Sequence, residues 1–266
     1  MSTVRAHDTV SVIHPSAYID PKACLGQGVK IGPFCMVGPD VELHDDVELV
    51  SHITISGCTT IGARTKIYPF ASIGHPPQDL KYKGESSLVI IGSDNVIREY
   101  VTIQPGTLGG LMKTTVGNNG LFMVGVHIAH DCVVGDHVIM ANYATLAGHV
   151  TIDDYVIIGG LSAVQQHVHI GEHAMIGGMS GVERHVIPYG LVMGERASLR
   201  GLNLIGLKRR GFQNITKLRS LYTDVFEKEG LLSDRIQTVS SLYKDDETAQ
   251  TLISFILSHD KLCLPS

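Results

Sequence analysis

Residues 116–181 read VGNNGL FMVGVH IAHDCV VGDHVI MANYAT LAGHVT IDDYVI IGGLSA VQQHVH IGEHAM IGGMSG, eleven consecutive hexads. Each opens on an apolar residue, from Val116, Phe122 and Ile128 through to Ile170 and Ile176, and Val182 continues the series. The residue four places after each opener is small or β-branched: Gly120, Val126, Cys132, Val138, Ala144 and onward to Ser180. A period of six fits neither a helix of 3.6 residues per turn nor an alternating strand. It suits a parallel β-helix, whose short strands meet at sharp corners that restart the pattern. With three hexads to a coil, residues 18 apart stack at the inter-strand spacing of about 4.8 Å. Each coil then rests on its two neighbours, as in other solenoids.

The frame reaches upstream. Openers run from Ile13 and Ile19 to Ile67 and Ile73, and the companion column from Ala17 and Ala23 to Thr65 and Ala71. It breaks at GHPPQDLKYKGESS (74–87), resumes at Ile91, Ile97 and Ile103, and breaks again at PGTLGGLMKTT (105–115). The two breaks are loops, about 74–88 and 104–115, ejected from corners, and insertions of this kind commonly form a binding face. The repeat ends near Pro188. Beyond it, Ile215, Leu218, Leu221, Tyr222, Val225 and Phe226 follow helical spacing and Gly230 is a stop. A second helix is predicted from Leu232 to about Tyr243, and a third around Leu252, Ile253, Phe255, Ile256 and Leu257. The expected organisation is mainly β: a parallel β-helix over 1–195 and an α-helical region over 196–266.

Composition agrees with that plan and narrows function. Hydrophobic residues make up 44% of the 266, aromatics 6%, and Trp is absent, so the core is aliphatic. The 29 glycines are expected at the corners that recur every six residues. A net charge of −5 argues against a general nucleic-acid coat. No apolar run approaches the 18 or so residues of a membrane-spanning helix and no signal peptide opens the chain, so a soluble cytoplasmic protein is expected. Five cysteines without a CxxC argue against a disulfide framework.

Chemistry concentrates where histidines do: eight of the 14 lie between 127 and 185. In the hexad frame Ile128 and Cys132 point inward, which leaves His130 and Asp131 near a corner and outside the core. Stacking by 18 sets Gly148 beside His130 and His149 beside Asp131, with Gln166 and His167 one coil on and Gln165 adjoining. An imidazole base, a carboxylate to fix its tautomer and a backbone N–H for an oxyanion suit acyl transfer. A zinc site is the competing reading, because some trimeric left-handed β-helices, the gamma-class carbonic anhydrases, hold zinc with three histidines between subunits. Those enzymes lack a long helical tail and a QDLKYKGE-like insertion.

The hexads together with QDLKYKGE (78–85), HIAHDC (127–132), LAGHV (146–150) and GLNLIGLKRRGF (201–212) resemble the UDP-N-acetylglucosamine O-acyltransferases of lipid A biosynthesis. The resemblance covers the chain from about residue 12. It implies a homotrimer of left-handed parallel β-helices, an exception to the right-handed crossover rule, with active sites in clefts between subunits. It implies transfer of an (R)-3-hydroxyacyl chain from acyl carrier protein to the glucosamine 3-hydroxyl, the first step of lipid A synthesis. No metal or separate prosthetic group is implied, since the acyl group arrives on the carrier's phosphopantetheine.

By the same resemblance His130 is the general base, Asp131 its supporting carboxylate and Gly148 the oxyanion N–H. Gln78, Asp79 and Lys81 belong to the sugar-nucleotide pocket, and His127, His149 and Gln166 line the cleft. Asn203, Arg209 and Arg210 match nucleotide or phosphate contacts, as a guanidinium fork suits a diphosphate. Gly178 falls where acyl length is set, and a glycine there implies a long chain. The seven basic residues between Arg196 and Arg219, with no acid among them, suit the acidic carrier. Gln104 and Gln165 stand where histidines are expected. Acylation of a 3-amino sugar to an amide is the alternative product.

Overall fold

The computed structural model describes residues 11–265; the part of the expected solenoid in 1–10 lies outside the described residues. Each hexad contributes a strand of two to four residues followed by a turn. Val12–Ile13 starts a first face, Tyr18–Ile19 a second and Cys24–Leu25 a third, and Lys30–Ile31 returns to the first. The result is a three-sided parallel β-helix with faces of eleven, nine and eight strands. Val12 pairs Lys30, Tyr18 pairs Met36 and Cys24 pairs Glu42, the 18-residue register the sequence predicts. The register lengthens to Ser72 with Thr102 across the first insertion and to Thr102 with His127 across the second. Both loops therefore leave the coil without disturbing the stacking.

Openers and companions fill the interior: Ile31, Leu49, Ile67, Ile97, Ile128 and Ile158 are buried, as are Val29, Cys35, Val126 and Val156. Ile13, in the first described coil, is 45% exposed. One ring does lie inside. Phe122 is fully buried because Gly120, the companion two places before it, leaves room: a Cβ there would come within 2.7 Å of the ring.

The glycines depart from expectation. The left-handed residue of most corners is not glycine but Phe34, His52, Phe70, Tyr100, Asp131, His149 or His167, all with φ near +60°. Many glycines instead directly follow a strand, where the next coil presses close. A Cβ at Gly32 would lie 1.8 Å from the Val50 carbonyl oxygen, and one at Gly92 2.6 Å from that of Gly117. Close approach between coils, more than turn geometry, selects glycine at those positions.

The first face ends with Gly190–Met193 and Ser198–Leu202, the one antiparallel pair among the described strands. The expected boundary at 195/196 falls in the turn between them. Four helices follow: α1 (Leu204–Arg209), α2 (Ile215–Phe226), α3 (Leu232–Leu242) and α4 (Glu247–Ser258). The last three are those the apolar spacing predicts, with Leu218, Leu221 and Val225 buried on α2 and Leu252, Ile253, Phe255 and Ile256 on α4, while Leu257 turns to the exposed side. The tail after α4 hooks back to the solenoid through the Cys263 N–H to the His185 carbonyl at 2.8 Å.

Candidate active site

Both insertions leave the prism at the same edge, and the HIAHDC turn follows on that edge. They stand between Ser72–Ile73 and Leu88–Ile91, and between Thr102–Ile103 and Lys113–Val116, while the turn joins His127–Ile128 to Val133–Val134. In each case the chain passes from the second face to the third. Coil by coil this edge presents the two loops, then His130 and Asp131, then Gly148 and His149, then Gln165, Gln166 and His167. Residues expected to gather by stacking do gather.

His130 and Asp131 were expected outside the core; they are buried, at 7% and 2% exposure. The second loop folds back over them. The Asp131 carboxylate accepts the Thr107 N–H (3.0 and 3.1 Å), the Thr107 hydroxyl (2.7 Å) and the Leu111 N–H (2.7 Å). It also faces His130 Nδ1 at 2.9 Å and His149 Nδ1 at 4.0 Å. Burial by itself would push this carboxyl up. The donors from Thr107, His130 and Leu111 together outweigh burial and hold it below the usual carboxylate range. An ionised carboxylate only accepts, so His130 Nδ1 donates and a neutral ring keeps its lone pair on Nε2. That ring packs on Gly148, where a Cβ would sit 2.4 Å from Cε1 and 2.6 Å from Nε2. Gly148 is buried, and its N–H finds no protein acceptor among the described residues. An imidazole with a free lone pair, the carboxylate that fixes its tautomer and an uncommitted donor thus occupy one small volume.

Beside the dyad opens a cleft of about 660 Å³ lined by Asp79, Leu80, Lys81, Lys83, Thr107, Leu108 and His149. Glu85 clips the two loops, one carboxylate oxygen accepting the Leu108 N–H at 3.1 Å and the other the Lys83 N–H at 2.8 Å. Gln78 is exposed, and its N–H is held by Gln104 Oε1 at 3.2 Å. Gln104 itself is buried, so this residue, where histidine was expected, anchors the first loop. On the second face His127 lies against Thr102 Oγ1 at 2.7 Å and borders a shallow trough of about 510 Å³ that Gln165 also lines. Burial, then the neighbouring His130, holds the His127 imidazole below its ordinary value. His149 is lowered by burial, with Asp131 opposing. Gln166 is exposed in the turn beyond.

Other predicted residues lie on different edges of the same chain. Asn203 caps α1, accepting the Gly206 N–H at 3.1 Å and donating to the His173 carbonyl at 2.9 Å. Arg210 reaches His173 Nδ1 at 3.3 Å and lies 5.4 Å from the Tyr155 ring, between the third and first faces; Arg209 is exposed beside it. Gly178 is exposed in the turn from the first face to the second. Sequence reasoning missed Thr107, Leu111 and Glu85. A signal for Thr107 existed, since it is the companion of opener Ile103 and continues the column into the loop.

Among the described residues, His130, Asp131 and His149 are a trio whose ligand atoms all lie within 4.8 Å of one another. Both Asp131 oxygens already accept hydrogen bonds there.

The helical end, residues 185–263, matches the family described as Udp N-acetylglucosamine O-acyltransferase, domain 2. The acyl-[acyl-carrier-protein]–UDP-N-acetylglucosamine O-acyltransferase of Caulobacter vibrioides is 51% identical over 257 residues, 95% of this chain and 98% of that one. The enzyme of the same name from Rickettsia felis is 56% identical over 248 residues, 92% and 94% of the two chains. Among solved structures, a UDP-N-acetylglucosamine acyltransferase superposes with a TM-score of 0.92 at 43% identity, covering 96% of this chain and 99% of that one. The Moraxella catarrhalis UDP-N-acetylglucosamine O-acyltransferase does so with a TM-score of 0.91 at 40% identity, covering 94% and 99%. The fold is a left-handed parallel β-helix with C-terminal helices. With relatives so similar along nearly its whole length, the chain belongs to the family of acyl-carrier-protein-dependent UDP-N-acetylglucosamine O-acyltransferases.

Proposed function

We propose that the protein transfers an (R)-3-hydroxyacyl group from acyl carrier protein to the 3-hydroxyl of UDP-N-acetylglucosamine, the first step of lipid A synthesis. The observation that carries this reading is the buried His130–Asp131 dyad packed against Gly148, whose N–H is uncommitted, at the edge of the loop-lined cleft. His130 Nε2 takes the proton of the sugar hydroxyl while its oxygen attacks the thioester carbonyl carbon. The new oxyanion is held by the Gly148 N–H, and Asp131 stabilises the imidazolium. Collapse of the intermediate breaks the C–S bond, and the departing pantetheine sulfur takes the proton back from His130 Nε2. No prosthetic group on the enzyme enters these steps, because the acyl group arrives on the carrier's phosphopantetheine.

Lys81, with Asp79 and Gln78, serves the sugar-nucleotide end of the cleft, which His149 lines, while His127 serves from the neighbouring trough and Gln166 from the turn beyond. Asn203, Arg209 and Arg210 serve the diphosphate, and Gly178 sets acyl length. Those groups occupy three different edges of one chain, so a complete site needs neighbouring copies. A homotrimer is further supported by an exposed apolar stripe along the edge between the first and second faces, with Phe34, Phe70, Tyr100, Tyr143, Leu161 and Met179. No helix among the described residues is long and apolar enough to cross a membrane; the substrates imply a cytoplasmic site of action. The organisation we adopt is a β-helix to about residue 195 and a helical region thereafter.

The zinc reading rests on the His130, Asp131 and His149 trio, yet Asp131 is committed to the second loop. The deciding assay offers hydroxyacyl carrier proteins of several chain lengths to UDP-N-acetylglucosamine and its 3-amino analogue, with products identified by mass. The ester is expected with the first acceptor, and its loss in His130→Ala. An ester formed at the native rate by His130→Ala removes this mechanism; exclusive use of the amino sugar makes the protein an N-acyltransferase.

A further inference from the structure

We propose that Thr107 is a positioning residue for the dyad: its hydroxyl holds the Asp131 oxygen that orients His130. The inference rests on the reading of His130 as base and deepens it. Asp131 Oδ2 receives the Thr107 hydroxyl at 2.7 Å and His130 Nδ1 at 2.9 Å, so both bonds meet on one oxygen. The Thr107 and Leu111 N–H groups complete the grip, with Leu111 on Oδ1 at 2.7 Å.

Thr107 is itself buried at the root of the loop. The loop is shaped for this approach. A Cβ at Gly110 would lie 2.3 Å from Asp131 Cγ, and one at Gly106 2.8 Å from Asp131 Oδ1. The charged or titratable groups near Asp131 are His130 and the buried Cys132 thiol beside it in sequence and His149 on the next coil; the loop offers it only neutral donors. A carboxylate fixed at both oxygens cannot swivel, so the imidazole it holds keeps Nε2 aimed at the reacting hydroxyl. Removing the hydroxyl leaves the carboxylate held by the Thr107 and Leu111 N–H groups but takes away the shortest bond to Oδ2, so the oxygen that meets His130 Nδ1 is fixed less tightly.

The test compares Thr107→Val, which keeps the shape and loses the hydroxyl, with Thr107→Ser, which keeps the hydroxyl. Thr107→Val is expected to lower kcat by about ten- to a hundredfold, the usual worth of a hydrogen bond to a charged group. KM for both substrates stays within about twofold of the native value, and the acid limb of kcat/KM, which reports the coupled pair, moves to higher pH. Thr107→Ser restores kcat to within a few-fold.

A valine variant with native kcat and pH profile overturns the proposal, as does a loss confined to KM or one that serine does not restore. Should the valine chain fail to fold, Thr107→Ser against Thr107→Ala decides: serine active and alanine impaired supports the role, and equal rates refute it. His130→Ala runs alongside. If it too keeps native turnover, the fault lies with the reading of the base; if it is inactive while Thr107→Val is native, only Thr107 is misassigned.

Discussion

Gly148→Ala adds one methyl group, and the structure says where it goes. The new Cβ would lie 2.4 Å from His130 Cε1, 2.6 Å from Nε2 and 3.1 Å from Nδ1. Gly148 is not among the residues with positive φ, so alanine strains no backbone there and the cost is steric. Carbon atoms in contact prefer about 3.5–4.0 Å. The imidazole must therefore retreat by roughly 1 Å, since the backbone on either side is fixed by the coils above and below. A retreat of that size misaligns a His130–Asp131 bond that begins at 2.9 Å and carries Nε2 away from the attacking hydroxyl. Misplacement of a catalytic group by about 1 Å costs on the order of a hundredfold in rate. The assay follows release of free carrier thiol with a hydroxyacyl carrier protein and UDP-N-acetylglucosamine, alongside thermal unfolding. The expected result is a fall in kcat of about a hundredfold at nearly native unfolding temperature. A rate within twofold of native would show that His130 is not held where the reasoning needs it.

Gly178→Met should shift preference to shorter acyl chains without loss of stability, because the nearest heavy atom to a Cβ there is the Gly160 oxygen at 3.4 Å; an unchanged chain-length profile refutes the placement. Stability should fall as pH drops below about 6.5. His127, His149, His173 and His185 are all held below their ordinary value, burial first, so the folded chain binds fewer protons than the unfolded one. Asp131, also lowered, adds a further loss below about pH 3.9. Unfolding temperature measured from pH 8 to 4 checks the sign, and a higher value at pH 5 than at pH 7 contradicts it. Chelation should leave turnover unchanged; stoichiometric zinc together with chelator-sensitive activity would restore the metalloenzyme reading.

Much of this protein is legible in one chain because a solenoid is local. Ile128 and Leu146 stack because they are 18 residues apart, so period, register and the identity of the core residues follow from counting. The same arithmetic placed Gly148 and His149 beside His130 and Asp131. Helices α2 to α4 were readable from apolar spacing. Helix α1 was not, since LIGLKR is six residues long and gives too few turns for a pattern.

Counting fails where the chain leaves the frame. The hexads set Asp131 outside the core, and it is buried because residues 107 and 111, more than a coil's length upstream, fold back onto it. Periodicity says nothing about where a twelve-residue loop returns. That return is governed by a buried carboxylate that must satisfy its hydrogen bonds and by glycines that permit the approach. Likewise the sequence marks Arg210 and Gly178 as residues to watch, but only the tertiary structure separates them onto edges away from His130. Coil stacking is a property of neighbours in sequence, whereas the His130–Asp131 site depends on contacts that loop closure brings together.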